Sequence, residues 1–232
     1  MPFESLNRAA QHRDNRSDPT KMSAILTARK LLESAGVIDP GEKVRAEDLI
    51  DPAIAEALKG VGYTFFHLIE PKSLETLKKE YPEHFNHVNS SQQLRGIIPE
   101  VIVAAVNPDQ LFLPDGVNLP VDQQEAIVQV YGLELKTRDP RLKAVKFEIP
   151  HVSTVVQLDL AWNASHRGKD LLNRFVRIID KTGMDYTGDP YAFVGRNFSL
   201  QPLSVLDKSD ERIGVPHIWV MPVAMIPLQP AA

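Results

Sequence analysis

Cysteine is missing from all 232 residues. That excludes disulfides, thiolate metal ligation and a cysteine nucleophile, and it fits a reducing compartment. No run approaches the roughly 18 apolar residues of a membrane span. The opening MPFESLNRAAQHRDNRSDPTK has no apolar stretch of the kind a secretory signal requires. The expectation is therefore a soluble, cytoplasmic protein with no membrane partner. Glycine-rich phosphate loops are absent as well. There is no GxxxxGK followed by Ser or Thr, no GxGxxG and no GxSxG. Phosphate-cradling and α/β-hydrolase chemistry thus have no support.

A strong excess of charge is also lacking. The net is −4, unevenly spread. Residues 1–135 carry 13 basic and 20 acidic side chains, and residues 136–196 carry 11 and 7. The middle of the chain is thus mildly basic, far short of the footprint of a nucleic-acid binder. Nucleic acid is not an expected partner.

What is present is ordinary globular composition, 43% hydrophobic and 24% charged. The length suits one large domain, or one domain plus an appendage, with a core that needs no staples. Proline is in excess, 18 residues, but dispersed. It is read as punctuation at loop ends and strand edges rather than as a linker.

Residues 1–20 are polar, lack periodicity and read as a disordered tail. KMSAILTARKLLESAG follows, with Met22, Ile25, Leu26, Ala28, Leu31 and Leu32 at helical spacing and Gly36 as the stop. Asp51-Pro52 is an N-cap followed by proline in the first turn, so AIAEALKG is a helix that Gly60 closes. YTFFHLIE is aromatic and reads as a strand. Ser73 caps a helix running towards Pro82. A polar connector places a soft boundary near residue 92.

Beyond it, PEVIVAAVNP is a strand-length apolar run. LPVDQQEAIVQVYGLELKT is a helix to about Leu135, with Val121, Ala126, Ile127, Val130 and Leu133 at helical spacing and glutamines between. KAVKFEIP alternates as a half-buried strand. HVSTVVQLDLAWNASHRG alternates like a strand, yet its ends are those of a helix, with Pro150 and Ser153 in front and His166, Arg167 and Gly168 behind. Helix is the expectation. NRFVRIID, YAFVGR, LSVLD and HIWVMPVAMI follow as strands, the last interrupted by Pro222 into an edge, a bulge or two strands. The whole is α+β: a mostly helical part over 21–92, then a mixed-sheet domain over 93–232 with two packing helices.

Two features could carry function. Pro114-Asp115 is followed nineteen residues later by Glu134-Leu135-Lys136. This spacing resembles the PD-(D/E)xK family of metal-dependent nucleases. The resemblance covers these 23 residues and implies Mg²⁺ on Asp115 and Glu134, with Lys136 orienting water or steadying the transition state. The family sets its acid-x-Lys triplet on a core strand, whereas here Asp115-Gly116 reads as a turn and Glu134 to Lys136 as a helix end. Elsewhere no cofactor or metal is implied. The second feature is the apolar C-terminal stretch. Read as an exposed edge, it would pair with a protein partner or another copy. Trp219 and Met221, with Arg196, are its candidate binding residues. Asp159 lies in an apolar stretch and needs a partner; Arg174, Arg177 and Arg196 are the candidates. The preferred expectation is a protein with no active site of its own, acting through association. The nuclease is the alternative.

Overall fold

The computed structural model describes residues 45–89, 95–167, 169–181, 191–196, 202–206 and 217–229. The tail over 1–20 and the helix expected from Met22 to Leu32 lie outside the described residues. The fold is α+β, with α1 (Pro52–Gly60), α2 (Leu74–Glu80), α3 (Val121–Arg138) and α4 (Val152–Ser165). Among the described residues, nine strands form two sheets: β1 (Phe65–Ile69), β2 (Phe85–Asn89), β3 (Ile102–Val106), β4 (Lys146–Glu148), β5 (Phe175–Lys181), β6 (Tyr191–Gly195), β7 (Leu203–Leu206), β8 (Ile218–Trp219) and β9 (Val223–Ile226). The first sheet has four strands in the order β1-β3-β9-β4, all antiparallel. The second has five, β2-β7-β6-β5-β8, with parallel pairings at both ends.

Strands before and after residue 92 share both sheets, since β1 pairs with β3 and β2 with β7. The described residues 45–89 hold α1 and α2, and also β1 and β2.

The first sheet is apolar on both faces, and that explains its unbroken hydrophobic strands. Side chains alternate across a strand. Val103, Ala105, Phe147, Ala224 and Ile226 face one core with Val128 and Leu135 of α3 and Leu58 of α1. Ala104, Val106, Val223 and Met225 face another with α4 and the second sheet. Helix α4 is covered on most sides: every residue from Val152 to Asp159 is buried. Its sequence therefore has no polar face to give a helical period, and the strand-like alternation is incidental. Its ends carry the signal only in part: Ser153 lies inside the helix rather than capping it, no basic residue falls in the last turn, and the stop comes at His166 and the left-handed Arg167, φ +55°. The carboxylate of Asp180 accepts the N–H of Val152 at 2.6 Å and also bonds His151 Nδ1.

The caps read from sequence are in place. Asp51 accepts from Ala53 N at 2.8 Å, and Ser73 from Thr76 N at 3.2 Å. The stop after α1 is different. Gly60 is the last helical residue, and the left-handed residue is Gly62 at φ +91°. A Cβ there would also strike the side-chain amide of Asn107.

Asp159 finds Arg196, one of the three arginines expected. The pair is bidentate, Nη1 to Oδ1 at 2.9 Å and Nη2 to Oδ2 at 2.6 Å. Asp159 also accepts the N–H groups of Leu171 and Leu172, and Arg196 donates to the Leu172 carbonyl. Both side chains are buried. The network ties α4 to the end of β6.

Pro222 resolves HIWVMPVAMI into two strands that enter different sheets. β8 is the last strand of the second sheet beside β5. β9 lies inside the first sheet, with β3 on one side and β4 on the other. The chain also uses the outer side of 218–220 itself. Leu113 N donates to Val220 O, Asn118 N to Ile218 O, and Ile218 N to Asn118 Oδ1. Trp219 is half-buried, with Arg174 over its ring at 4.1 Å, and Met221 is buried.

Candidate functional site on helix α3

Helix α3 packs with a different face from the one its hydrophobic spacing suggests. The buried positions are Gln124, Val128, Gly132 and Leu135. Gly132 is what brings the helix close. A Cβ there would sit 2.8 Å from Cβ and 2.9 Å from Cδ2 of Phe147 on β4. Gln124 is fully buried because it is doubly bonded. Its Nε2 donates to Gly116 O at 2.6 Å, and its Oε1 accepts from Arg177 Nε at 3.1 Å. That polar anchor fixes the rotation of the helix.

The consequence lies on the other side. At 3.6 residues per turn, Ala126, Val130 and Leu133 fall on one stripe, spaced as a core-facing stripe would be. Yet all three are exposed, Val130 by 57% and Leu133 by 65%. Among the described residues these are the two most exposed large hydrophobic side chains. Single exposed apolar residues need no explanation, but a stripe at helical spacing does.

A groove of about 950 Å³ runs beside this stripe. Its walls are the end of α1 (Ala57, Gly60, Val61), the turn after Leu113, and Ile127, Val130 and Tyr131 of α3. Next to Tyr131 of the lining, the Tyr63 phenol is held well above its ordinary pKa by burial first and by the Tyr131 hydroxyl second. The neutral phenol donates towards Pro222 O at 3.4 Å. The charged lining is mostly acidic: Asp115, Glu134 and Asp139 against Arg138. Asp139 is clamped by Arg141, Nη2 to Oδ2 at 2.6 Å. Glu134 faces Arg138, whose Nη2 lies 4.0 Å from its Oε2 in a loose, solvent-screened pair.

The residues read from the nuclease-like spacing therefore divide. Asp115 sits in a one-turn 3-10 helix, Pro114–Gly116, and Glu134 on α3; both line the groove. Lys136 is two residues further along the helix, about 200° around its axis from Glu134, and is not part of the lining. Among the described residues, no group of three or more His, Asp or Glu side chains is placed to hold a metal ion. Trp219, Met221 and Arg196 are not brought together as a surface, because Met221 and Arg196 are interior. The stripe on α3 was hidden in the sequence, where Val130 and Leu133 look like core positions. Gln124, the residue that fixes the other face, reads in sequence only as one of the polar residues between apolar ones.

No described helix is long and apolar enough to cross a membrane. Comparison with protein-family models, with curated proteins and with solved structures finds no significant match.

Proposed function

We propose that this chain acts by association and that the exposed stripe of α3, with its groove, is the docking surface. The observation that carries the reading is the exposure of Val130 and Leu133 at core-like spacing. Covering both recovers on the order of 2–3 kcal/mol, scaled from full burial of such side chains. An amphipathic helix laid alongside α3 would cover the stripe through anchors three, four and seven residues apart. Asp115, with Glu134 only loosely paired to Arg138 at 4.0 Å, favours basic flanks on that helix. The C-terminal stretch, the other candidate edge, has its backbone groups engaged within the chain, which directs the proposal to α3 instead. The nuclease reading of Asp115, Glu134 and Lys136 has no comparable support, since the helix turns Lys136 away from Glu134.

A benzophenone amino acid at position 133 of the full chain tests this. On irradiation it should form an adduct with an apolar segment, within the chain, on a second copy, or on a supplied amphipathic basic peptide. If irradiation yields no peptide adduct in any of the three settings, the docking surface is wrong.

A further inference from the structure

We infer that the helix seated on α3 is α3 of a second copy of this chain, laid antiparallel across a twofold axis at Val130. This rests on α3 being a docking surface and names its occupant. Two observations converge. The first is spacing. Gln123, Ala126, Val130, Leu133 and Thr137 recur at steps of three, four, three and four residues, and all five are exposed. That alternation is the seam of a two-helix pair. It is separate from the step of four by which Gln124, Val128 and Gly132 face the chain's own core. Thr137 already spends its hydroxyl on Leu133 O at 2.9 Å, so covering it strands no donor. With Val130 on the axis, Leu133 comes opposite Ile127, which lines the groove, and Gln123 comes opposite Thr137.

The second is charge. α3 carries Asp122 and Glu125 in its first half, and Glu134, Lys136 and Arg138 in its second. Asp115 adds to the acidic end, because Gly116 beside it accepts from Gln124. Glu134 is the exception at the basic end, with Arg138 4.0 Å from it. Asp122 and Arg138 stand eight residues to either side of Val130. In the antiparallel pair each Asp122 therefore meets the other copy's Arg138, twice by symmetry. Glu134 comes opposite Ala126, whose small side chain leaves it beside its own Arg138. A parallel pair would set Asp122 on Asp122 and Arg138 on Arg138, with the helix dipoles aligned; the antiparallel pair opposes them. Since one stripe covers itself, assembly closes at two copies and leaves no apolar stripe over. A single helix face is a small interface, so the pair is transient and governed by concentration.

Sedimentation of the full chain over roughly a hundredfold range of concentration should show monomers becoming dimers, with no larger species. Leu133→Asp should stay monomeric throughout, while its monomer melts as the wild-type monomer does. Asp122→Arg and Arg138→Asp should each weaken the dimer about fivefold or more. Mixed together, these two variants should form a heterodimer as tight as the wild-type pair, because every facing pair is again of opposite charge. The absence of cysteine lets single cysteines read the orientation. Gln123→Cys chains should form disulfides with Thr137→Cys chains, and neither with its own kind. A monomer at every concentration, a dimer that Leu133→Asp leaves intact, or ready pairing of Gln123→Cys with itself would overturn the inference. The benzophenone at position 133 decides the broader reading separately. An adduct on the supplied peptide, with a chain that stays monomeric, overturns the second copy but keeps α3 a docking surface. No adduct in any setting removes both.

Discussion

Removal of Arg196 should cost more than any surface change in this protein. Arg196→Met keeps the length of the side chain and deletes its charge and donors. Asp159 is 1% exposed and would remain as a carboxylate in the interior. Two of its four donors would go, and the N–H groups of Leu171 and Leu172 would stay. Asp170, 3.3 Å from Nη2, would lose its counter-charge as well. Breaking one side of a buried pair costs about 3–5 kcal/mol. The two surviving backbone donors place the expected loss near the lower end, about 3 kcal/mol. In a chain of this size that lowers Tm on the order of 10 °C. Asp159→Asn should be similar, since its amide would face the guanidinium donor to donor. The double variant removes both charges and keeps one acceptor for the two N–H groups. It should be milder than the sum of the singles by about 1.5 kcal/mol or more. Urea denaturation followed by fluorescence of Trp162, on the same helix, measures all three. A loss below about 1 kcal/mol for Arg196→Met at unchanged m, or strict additivity in the double variant, would refute the reasoning.

The glycines give a contrasting pair. Gly132→Ala should destabilise by about 1 kcal/mol despite better helix propensity, because the new Cβ must displace Phe147. Gly60→Ala meets no described atom within 4 Å and should stabilise by up to about 1 kcal/mol; a reversed order in thermal melts would sink the packing account of α3. His151 should make stability depend on pH. Its hydrogen bond to Asp180, the largest influence, raises its pKa above the ordinary value. The contribution is fully present below about pH 6.5, the unfolded value, and is lost as pH rises through the folded pKa. His67 works oppositely, since burial lowers its pKa and acid favours the unfolded chain. The difference between wild type and His151→Gln, in urea midpoints across neutral pH, isolates the first effect; a constant difference would contradict it. Leu133→Asp should change stability by no more than about 0.5 kcal/mol, as an exposed site should. A large loss in its urea midpoint would mean that Leu133 is already part of the core.

Local chemistry was legible in the sequence wherever a single residue performs a single task. Asp51 and Ser73 cap because their oxygens reach orphan N–H groups, and the sequence shows both. The ends of α4 pointed to a helix although its interior alternates like a strand, but Ser153, read as part of its start, lies inside it. What the sequence hid depended on long-range company. The rotation of α3 is set by Gln124 meeting Gly116, eight positions before it, and Arg177, 53 positions after it, so Val130 and Leu133 looked internal. Pro222 announced an interruption, yet the entry of β8 and β9 into different sheets is a property of the whole topology. Asp159 required an arginine, and the choice of Arg196 over Arg174 and Arg177 came from the packing of β6 against α4.

The most direct test of docking on α3 is the solvent exposure of its stripe. Relaxation of the Val130 and Leu133 methyl groups by a soluble gadolinium chelate measures it in the full chain. Val130 and Leu133 are 57% and 65% exposed in the chain by itself, and the account predicts that an added amphipathic basic peptide shields both methyls. Full relaxation of both methyls, unchanged by the added peptide, would contradict it.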